Sequence, residues 1–478
     1  MFTSVNRSIN DSHLDFLHKS AYTGGLDFVH KWDDRNWLVD AGLYFSQVNG
    51  SKDAITRTQE SYIRIFQRPD ADYVQFDENR TSLSGHGGKL TVGKVGGKFN
   101  FGHIMSWKSP GLELNDIGFA QQVDRILQVL WSNYNFYEPF SIFRKAGINA
   151  SQHSVWDFGG NRTALGGNLS GNAQFTNFWT TFAGLSLSGE QRFNSGLRGG
   201  PALLVPGYKY MRLGIFSNQQ KKLTMTLMGG QYFSNEQGFR SISDYNISFG
   251  YRPIKSLRID LSPGINTYSD DLQYVTQTDY QGGTRYVMAQ IDRTTVNMSV
   301  RINFNISPDL TIQYWGQPFV ATGKYSEFKH ITDSKADELS NRFNIYSDEQ
   351  ISYNSDWEAF LVDDNIIKKN ETVFLVEYPE SKKFYQRFSS AGYNLREATS
   401  IKQVKKLFNA SNLDVRHDSS KIVDLMMAHK EVFFIYEALM FLLISRISWS
   451  VITTKTLFKH YIYFNKEGAA QIAANIFL

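Results

Sequence analysis

The sequence predicts an all-β fold, an antiparallel β-barrel of the membrane-spanning type, on three observations. Apolar and polar residues alternate with period two through the first two-thirds of the chain. Many of these runs are about nine to eleven residues long, and aromatic residues fall near their ends. The clearest run is Thr295 to Asn305. Val296, Met298, Val300, Ile302, Phe304 and Ile306 share one face, and Thr295, Asn297, Ser299, Arg301, Asn303 and Asn305 share the other. A turn at Ser307, Pro308 and Asp309 leads into Leu310, Ile312 and Tyr314, which alternate with Thr311, Gln313 and Gln317 and complete an antiparallel hairpin.

The pattern recurs upstream. Tyr245, Ile247, Phe249 and Tyr251 alternate with Asp244, Asn246, Ser248 and Gly250. After a turn around Pro253, Leu257, Ile259 and Leu261 alternate with Arg258, Asp260 and Ser262. Leu223, Met225 and Leu227 form another such face, as do Phe99, Phe101, Met105 and Trp107, and again Trp37, Val39, Ala41, Leu43 and Phe45. A soluble sandwich with one buried face also alternates, but its strands are typically only about five or six residues long. Polar faces rich in Asn, Ser, Thr, Gly and Gln suit a wet lumen, and Trp107, Trp131, Tyr251 and Tyr314 suit interfacial girdles. At about 20 to 25 residues per strand and loop, the first 320 or so residues hold on the order of 14 strands. Mean hydropathy of -0.36 fits a chain whose strands are half polar.

Composition narrows the function classes. With 41% hydrophobic residues, including 36 Phe and 25 Tyr, the chain is not a solvated, disordered one. Cysteine is absent from the 478 residues, which removes disulfides, thiolate metal sites and a cysteine nucleophile. Lys plus Arg 50 against Asp plus Glu 46 leaves a net charge of +4, too small and too evenly spread for a nucleic-acid partner.

Punctuation divides the chain. After Gly323 only Gly392 and Gly468 occur, and after Pro318 only Pro379, so residues 1–364 read as the β domain and 365–478 as a small α/β or helical tail. Met1 to Asp11 does not read as a signal peptide, so the expectation is either a cytoplasmic protein or a fragment whose exported parent begins further upstream. Val432 to Ser445, interrupted by Glu437, is shorter than the roughly 20 residues of a spanning helix and reads as a buried or interfacial one.

Phe16 to Trp32, Gln67 to Leu90, Ser106 to Phe119 and Tyr314 to Asp333 together resemble a family of uncharacterised outer-membrane proteins of Gram-negative bacteria. The resemblance, over roughly residues 1–363, implies a large C-terminal barrel domain of unknown function that normally follows a signal peptide and a carbohydrate-binding module resembling family 9. It implies the outer membrane as location and lipid as partner, and it supplies no catalytic residues. The chain departs from the family after about Asp364 and ends Asn475-Ile476-Phe477-Leu478, not on an assembly strand, so the barrel is expected to be incomplete. Val373 to Glu377 and the segments through Phe408 are similar to the opening of a receiver domain. There Tyr378 and Pro379 stand where a second acid is needed, and Asp414, Asp418 and Asp424 are poorly placed for the phosphoacceptor.

Candidate chemistry is sparse. Gly85-His86-Gly87-Gly88-Lys89 lacks the spacing of a phosphate loop, because Leu83 and Leu90 occupy key positions, and reads as a strand-to-strand turn. His13, His18 and His30 lie near Asp15 and Asp27 without metal-ligand spacing, so no metal or cofactor is expected. Glu113 and Asp116, in the loop after Trp107, are the best-paired carboxylates for acid–base work, although turn, cap or ion-pair roles suit them better. The turn Arg68-Pro69-Asp70-Ala71-Asp72 suits a cation, sugar hydroxyls or simply loop support. Arg258, Asp260, Arg301, Asn303 and Asn305 are expected to face the lumen. The functional expectation is a passive pore or a platform for surface ligands, glycans among them. Its rivals are a carbohydrate-active hydrolase with its site in the extracellular loops and a soluble β-sheet binding protein.

Overall fold

A run with one polar and one apolar face pairs its backbone groups most completely with a neighbour of the same pattern, edge to edge. The computed structural model, which describes residues 1–354 except 117 and 281–282, together with 359–363 and 373–377, contains such pairing throughout. The chain divides into two units, Met1–Tyr346 and Ser347–Leu478.

In the first unit the strands begin with β1 (Phe2–Asn6), β2 (His18–Trp32), β3 (Trp37–Gly50), β4 (Ser82–Lys94), β5 (Phe99–Lys108) and β6 (Arg125–Phe136). They continue with β7 (Phe143–Trp156), β8 (Arg162–Phe175), β9 (Thr180–Ser188), the small pair β10 (Gln191–Phe193) and β11 (Leu203–Val205), and β12 (Tyr208–Phe216). The last are β13 (Leu223–Ser234), β14 (Arg240–Ile254), β15 (Leu257–Tyr280), β16 (Gly283–Ser307), β17 (Leu310–Gly316), β18 (Phe319–Ile331) and β19 (Phe343–Ile345). One helix, α1 (Lys52–Glu60), follows β3.

Seventeen of these strands form a single antiparallel sheet, each pairing with the next and β9 pairing with β12 across the β10–β11 excursion. Strand β16 pairs β17 near its C-terminal end and β18 further back, and β18 pairs β19. Among the described residues no ladder joins β1 to β17, β18 or β19, so the sheet has two free edges. The strands outnumber the sequence expectation because connections at one end are very short, as at 33–36, 255–256 and 308–309. Both predicted hairpins form, with Phe304 opposite Ile312 and Tyr251 opposite Ile259. The second turns at 255–256, just beyond Pro253, which lies within the end of β14.

Register carries the two faces across the whole sheet. Leu169 lies between Ala150 and Leu185, Leu185 lies beside Met211, and Leu227 lies between Ile215 and Ile247. Further on, Leu261 lies between Phe249 and Val300. This apolar face is open: Leu26 is 77% exposed, Leu213 65% and Leu169 55%. On the other face Asn149 lies between Asn133 and Ser170, and Asn168 Nδ2 donates to Ser186 Oγ at 2.8 Å.

The two ends of the sheet differ. At the end with short turns, rings adjoin from one hairpin to the next. Phe28, His30, Trp32, Trp37, Phe101 and Phe99 form one row, and Tyr134, Phe136, Phe140, Phe143 and Phe175 another. At the end with long connections, 51–81, 109–124, 189–207 and 332–342, the loops build a layer with its own core. One cluster joins Leu197, Leu203, Val205, Phe239, Leu272, Met288 and Ile331, and another joins Ile55 of α1 and Phe66 to Ala21, Val48 and Leu83. Helix α1 starts where Ser51 Oγ accepts from Ala54 N at 3.0 Å. Its buried stripe is only Ala54, Ile55, Thr58 and Gln59, too polar to show as a helical period in the sequence.

Two expectations are corrected here. Trp131 stands mid-strand in β6, between Gly102 and Ser151 and adjacent to the exposed Leu130, and so lies on the polar face and not in a girdle. Gly85 to Lys89 lie inside β4 and not in a turn, and the glycines there make room for neighbours. A Cβ at Gly85 would fall on the backbone of Leu112, and one at Gly87 or Gly88 on the ring of Tyr44 or Trp107.

In the second unit β20 (Ile351–Asn354), β21 (Ala359–Asp363) and β22 (Val373–Glu377) form a three-stranded antiparallel sheet. The expected tail helices, the segment Val432 to Ser445 and Asp414, Asp418 and Asp424 lie outside the described residues. Among the described residues no helix is long and apolar enough to cross a membrane, which has no bearing on strands.

The close approach at β4 is testable. Gly85→Ala is expected to cost about 1–3 kcal/mol by forcing the Leu112 loop off the strand. Gly171→Ala, whose Cβ would come no nearer than 3.5 Å to its neighbours, is expected to stay within about 0.5 kcal/mol, both variants being compared with the native chain by urea titration.

Candidate functional site

Two regions gather the polar chemistry of the first unit: the polar sheet face near the short turns and the loop layer at the other end. On the face, alternation in β15 puts Arg258 and Asp260 on one side, and register sets Arg258 opposite Asn303 and Asp260 opposite Arg301. Asn305 follows on the same side, accepting from Thr311 Oγ1 at 2.9 Å. All five residues expected at a lumen are thus together on one face. Arg258 Nε donates to both Asp260 oxygens, at 2.9 and 2.8 Å, and Nη2 donates at 2.7 Å. Both side chains are partly open to water, so the pair adds little stability. Arg301 has no carboxylate within ion-pair distance among the described residues and leaves a net positive charge on the row.

In the loop layer the carboxylates expected to pair have separate partners. Glu113 is buried and held by Arg64 Nη2 at 2.8 Å, and its Oε1 accepts from Asn115 N at 2.5 Å. Asp116 accepts from Arg7 Nη1 at 2.6 Å and bonds His18 Nδ1. Burial pushes the Asp116 carboxyl up, but His18 and Arg7 outweigh it, and its pKa lies below the ordinary aspartate value. Each acid is thus engaged by its own cation, and the two do not face each other as an acid–base pair.

His18 Nε2 reaches Thr58 Oγ1 at 2.7 Å, making a hydroxyl–imidazole–carboxylate row that no sequence spacing announces. The Thr58 hydroxyl donates to Ala54 O at 2.8 Å. Its single proton is therefore spent on the helix, and Thr58 accepts from the imidazole instead of being primed for attack. His13 sits in a short turn and His30 stacks between Phe28 and Trp32. Among the described residues no cluster of His, Asp and Glu has the makings of a metal site.

The turn Arg68 to Asp72 is the hub of the layer. Asp70 Oδ2 accepts from Lys335 Nζ at 2.6 Å, from Arg192 Nη2 at 2.8 Å and from Ala202 N at 3.0 Å, while Oδ1 lies 3.0 Å from Arg68 Nε. One carboxylate thereby ties its own loop to 189–207 and 332–342. Burial raises its pKa, but the bonds from Lys335 and Ala202 and the charge of Arg68 outweigh that and leave it below the ordinary value. Beside it, Tyr73 donates to Asp124 Oδ2 at 2.5 Å and accepts from Arg68 Nη2 at 2.8 Å. Burial, with the nearby charge of Asp157, holds the Asp124 carboxyl above its ordinary range despite that bond. Asp157, fully buried, accepts from Asn161 N at 2.9 Å and Asn194 Nδ2 at 3.2 Å. Sequence reasoning missed Arg64, Asp124, Asp157, Arg192 and Lys335. Of the candidates it named, the turn at Asp70 takes the loop-support role.

Residues 43–365 match the family described as Domain of unknown function (DUF5916). The chain belongs to this family. No curated protein matches it. The stretch matched to DUF5916 opens within β3 and closes just after β21, so it takes in the five polar-face residues and the Asp70 hub alike.

Asp70→Asn is expected to cost about 1–3 kcal/mol, because it removes the charged acceptor shared by Arg68, Arg192 and the more exposed Lys335, and to speed proteolytic cleavage within 189–207. The Asp70 pKa is depressed in the fold. Its stabilisation is therefore present above the unfolded value, near pH 4, and is lost as pH falls through the folded value. Cleavage rates followed downward from pH 5 are expected to climb in the native chain and to change less in the variant.

Proposed function

We propose that the β domain, residues 1–364, is the wall of an outer-membrane barrel of a Gram-negative bacterium. Its polar face lines a passive, water-filled path for small polar solutes. The observation that supports this most is the distribution of apolar side chains. The buried ones of the first unit cluster in the loop layer, while those along the strands form a continuous exposed face from Leu26 to Val320. Water would penalise such a face by about 25 cal/mol for each Å² left exposed, and far more than a few hundred Å² exceeds what soluble monomers leave open. Hydrocarbon carries no such penalty. The aromatic rows, the short turns at one end and the long loops at the other also agree with an outer-membrane wall.

Closure is part of the proposal. A free edge in hydrocarbon leaves N–H and C=O groups unpaired, so the edges at β1 and at β17–β19 require partners in the membrane. The mechanism is passive. Asn, Ser and Arg groups of the polar face replace hydration as a solute passes, and the loop layer selects what enters. A second reading, a platform presenting ligands such as glycans at the surface, draws on the separate core and charge hub that hold the loops in place. The hydrolase reading draws no support from Glu113 and Asp116, each being engaged in its own ion pair.

Adjacent residues of β8 provide the test, since Leu169 lies on the apolar face and Ser170 on the polar one. In refolding into lipid vesicles, Leu169→Arg is expected to lose about 2–4 kcal/mol and Ser170→Arg about 1 kcal/mol or less. Equal small effects, or a wild-type chain that is monomeric in water without detergent, would overturn the membrane reading. Unitary conductance steps of the inserted protein in a planar bilayer support the solute path, and their absence leaves the platform.

A further inference from the structure

The loop layer contains a cavity of about 360 Å³, within the roughly 300–1,000 Å³ of small-ligand sites, at a place none of the preceding readings uses. Its floor is apolar, from Leu203, Leu272 and Met288, all members of the same buried cluster. Its wall carries the Arg240–Asp270 pair, joined at 2.8 Å. Asp270 is already satisfied, accepting from Tyr268 OH at 2.5 Å and from Leu272 N at 3.2 Å, so it offers no strong site for a cation. The Nε of Arg240 is buried with no hydrogen-bond partner among the described residues.

The remaining charge is Arg198. Its guanidinium lies 4.4 Å from the ring centroid of Tyr274, another lining residue, and among the described residues no carboxylate lies within ion-pair distance of it. A guanidinium held over a ring face by the ring's negative charge keeps its N–H groups available for a planar anion. The loop is not free to fold the arginine away, since Leu197 is fully buried and Ala202 N is tied to Asp70. Arg198 itself is held at φ 49°, in the left-handed region that a non-glycine residue enters only when its surroundings impose it. Two guanidiniums and one carboxylate give the cavity an uncompensated positive charge above an apolar floor. Ser195 and Gln273 supply hydrogen-bonding groups at the wall.

We propose that this cavity is a binding site for a small carboxylate carried on a ring-sized body, with Arg198 gripping the carboxylate and the Tyr274 ring and the Leu203–Leu272–Met288 floor receiving the body. The cavity belongs to the loop layer, so the site does not rest on membrane insertion or on conduction.

Titration calorimetry on the full chain in detergent micelles tests it with two carboxylates, benzoate and glucuronate, and their neutral counterparts, benzamide and glucose. Saturable binding of at least one carboxylate is expected, with its neutral counterpart at least about tenfold weaker. Benzoate alone indicates an apolar body and glucuronate a hydroxylated one. Arg198→Ala, at an exposed side chain, is expected to leave the circular dichroism spectrum unchanged and to weaken binding about tenfold or more. Arg198→Lys, which keeps the charge without the planar fork, is expected to fall between. No saturable binding by either carboxylate, equal binding of the neutral compound, or undiminished binding by Arg198→Ala overturns the proposal.

Discussion

Backbone register is the constraint on which the rest of this molecule depends. Side chains alternate across a strand with a period of two, so a slip of one residue in any ladder would exchange the polar and apolar faces from that strand onward. The registers observed avoid this from β2 to β18. Leu169, Leu185 and Met211 fall in line, as do Asn133, Asn149 and Ser170 one residue out of step on the other side. The apolar face, the polar row containing Arg258 and Arg301, and the aromatic rows at the turn end are all consequences of that pairing.

A single-layer sheet has no interior of its own, and the first unit has to find its packed core elsewhere. It does so at one end, where the long loops fold onto the strand termini and bury Leu197, Phe239 and Met288 on one side and Ile55 and Phe66 on the other. That layer also buries charge. Arg64 with Glu113, and Arg68 and Arg192 with Asp70, are arranged so that each ion has an opposite charge within reach, and the more exposed Lys335 joins them at Asp70. Such groups are costly to desolvate, and their value lies less in net stability than in fixing which loop lies against which. A loop layer held in this way can keep a cavity open and a cation in its lining, as it does at Arg198.

The hairpins around 253–256 and 307–309 were legible because alternation and turn residues are local signals, complete within about 20 residues. The five polar-face residues were legible for the same reason. Trp131 was not, since an aromatic residue reads the same in the sequence whether it lies in a girdle or packs over Gly102 on the polar face. Glycines Gly85 to Gly88 looked like a turn because composition alone does not distinguish a bend from a strand that another backbone must approach closely. Helix α1 escaped because half of its buried stripe is polar.

The sequence by itself determined the antiparallel β class, the two-faced strands and the absence of cysteine chemistry. Each of these is written in neighbouring residues or in composition. Only the tertiary structure decided what the loops do. Asp70 meets Arg192 across 122 residues and Arg342 meets Glu190 across 152, and no local pattern encodes such a meeting. Glu113 and Asp116, three residues apart, looked like partners and belong to different ion pairs, while Arg198 and Tyr274, far apart in the chain, meet in the lining of one cavity. Sequence proximity governs strands because their hydrogen bonds follow the chain, whereas a charged side chain in a loop pairs with whatever the folded strand ends bring beside it.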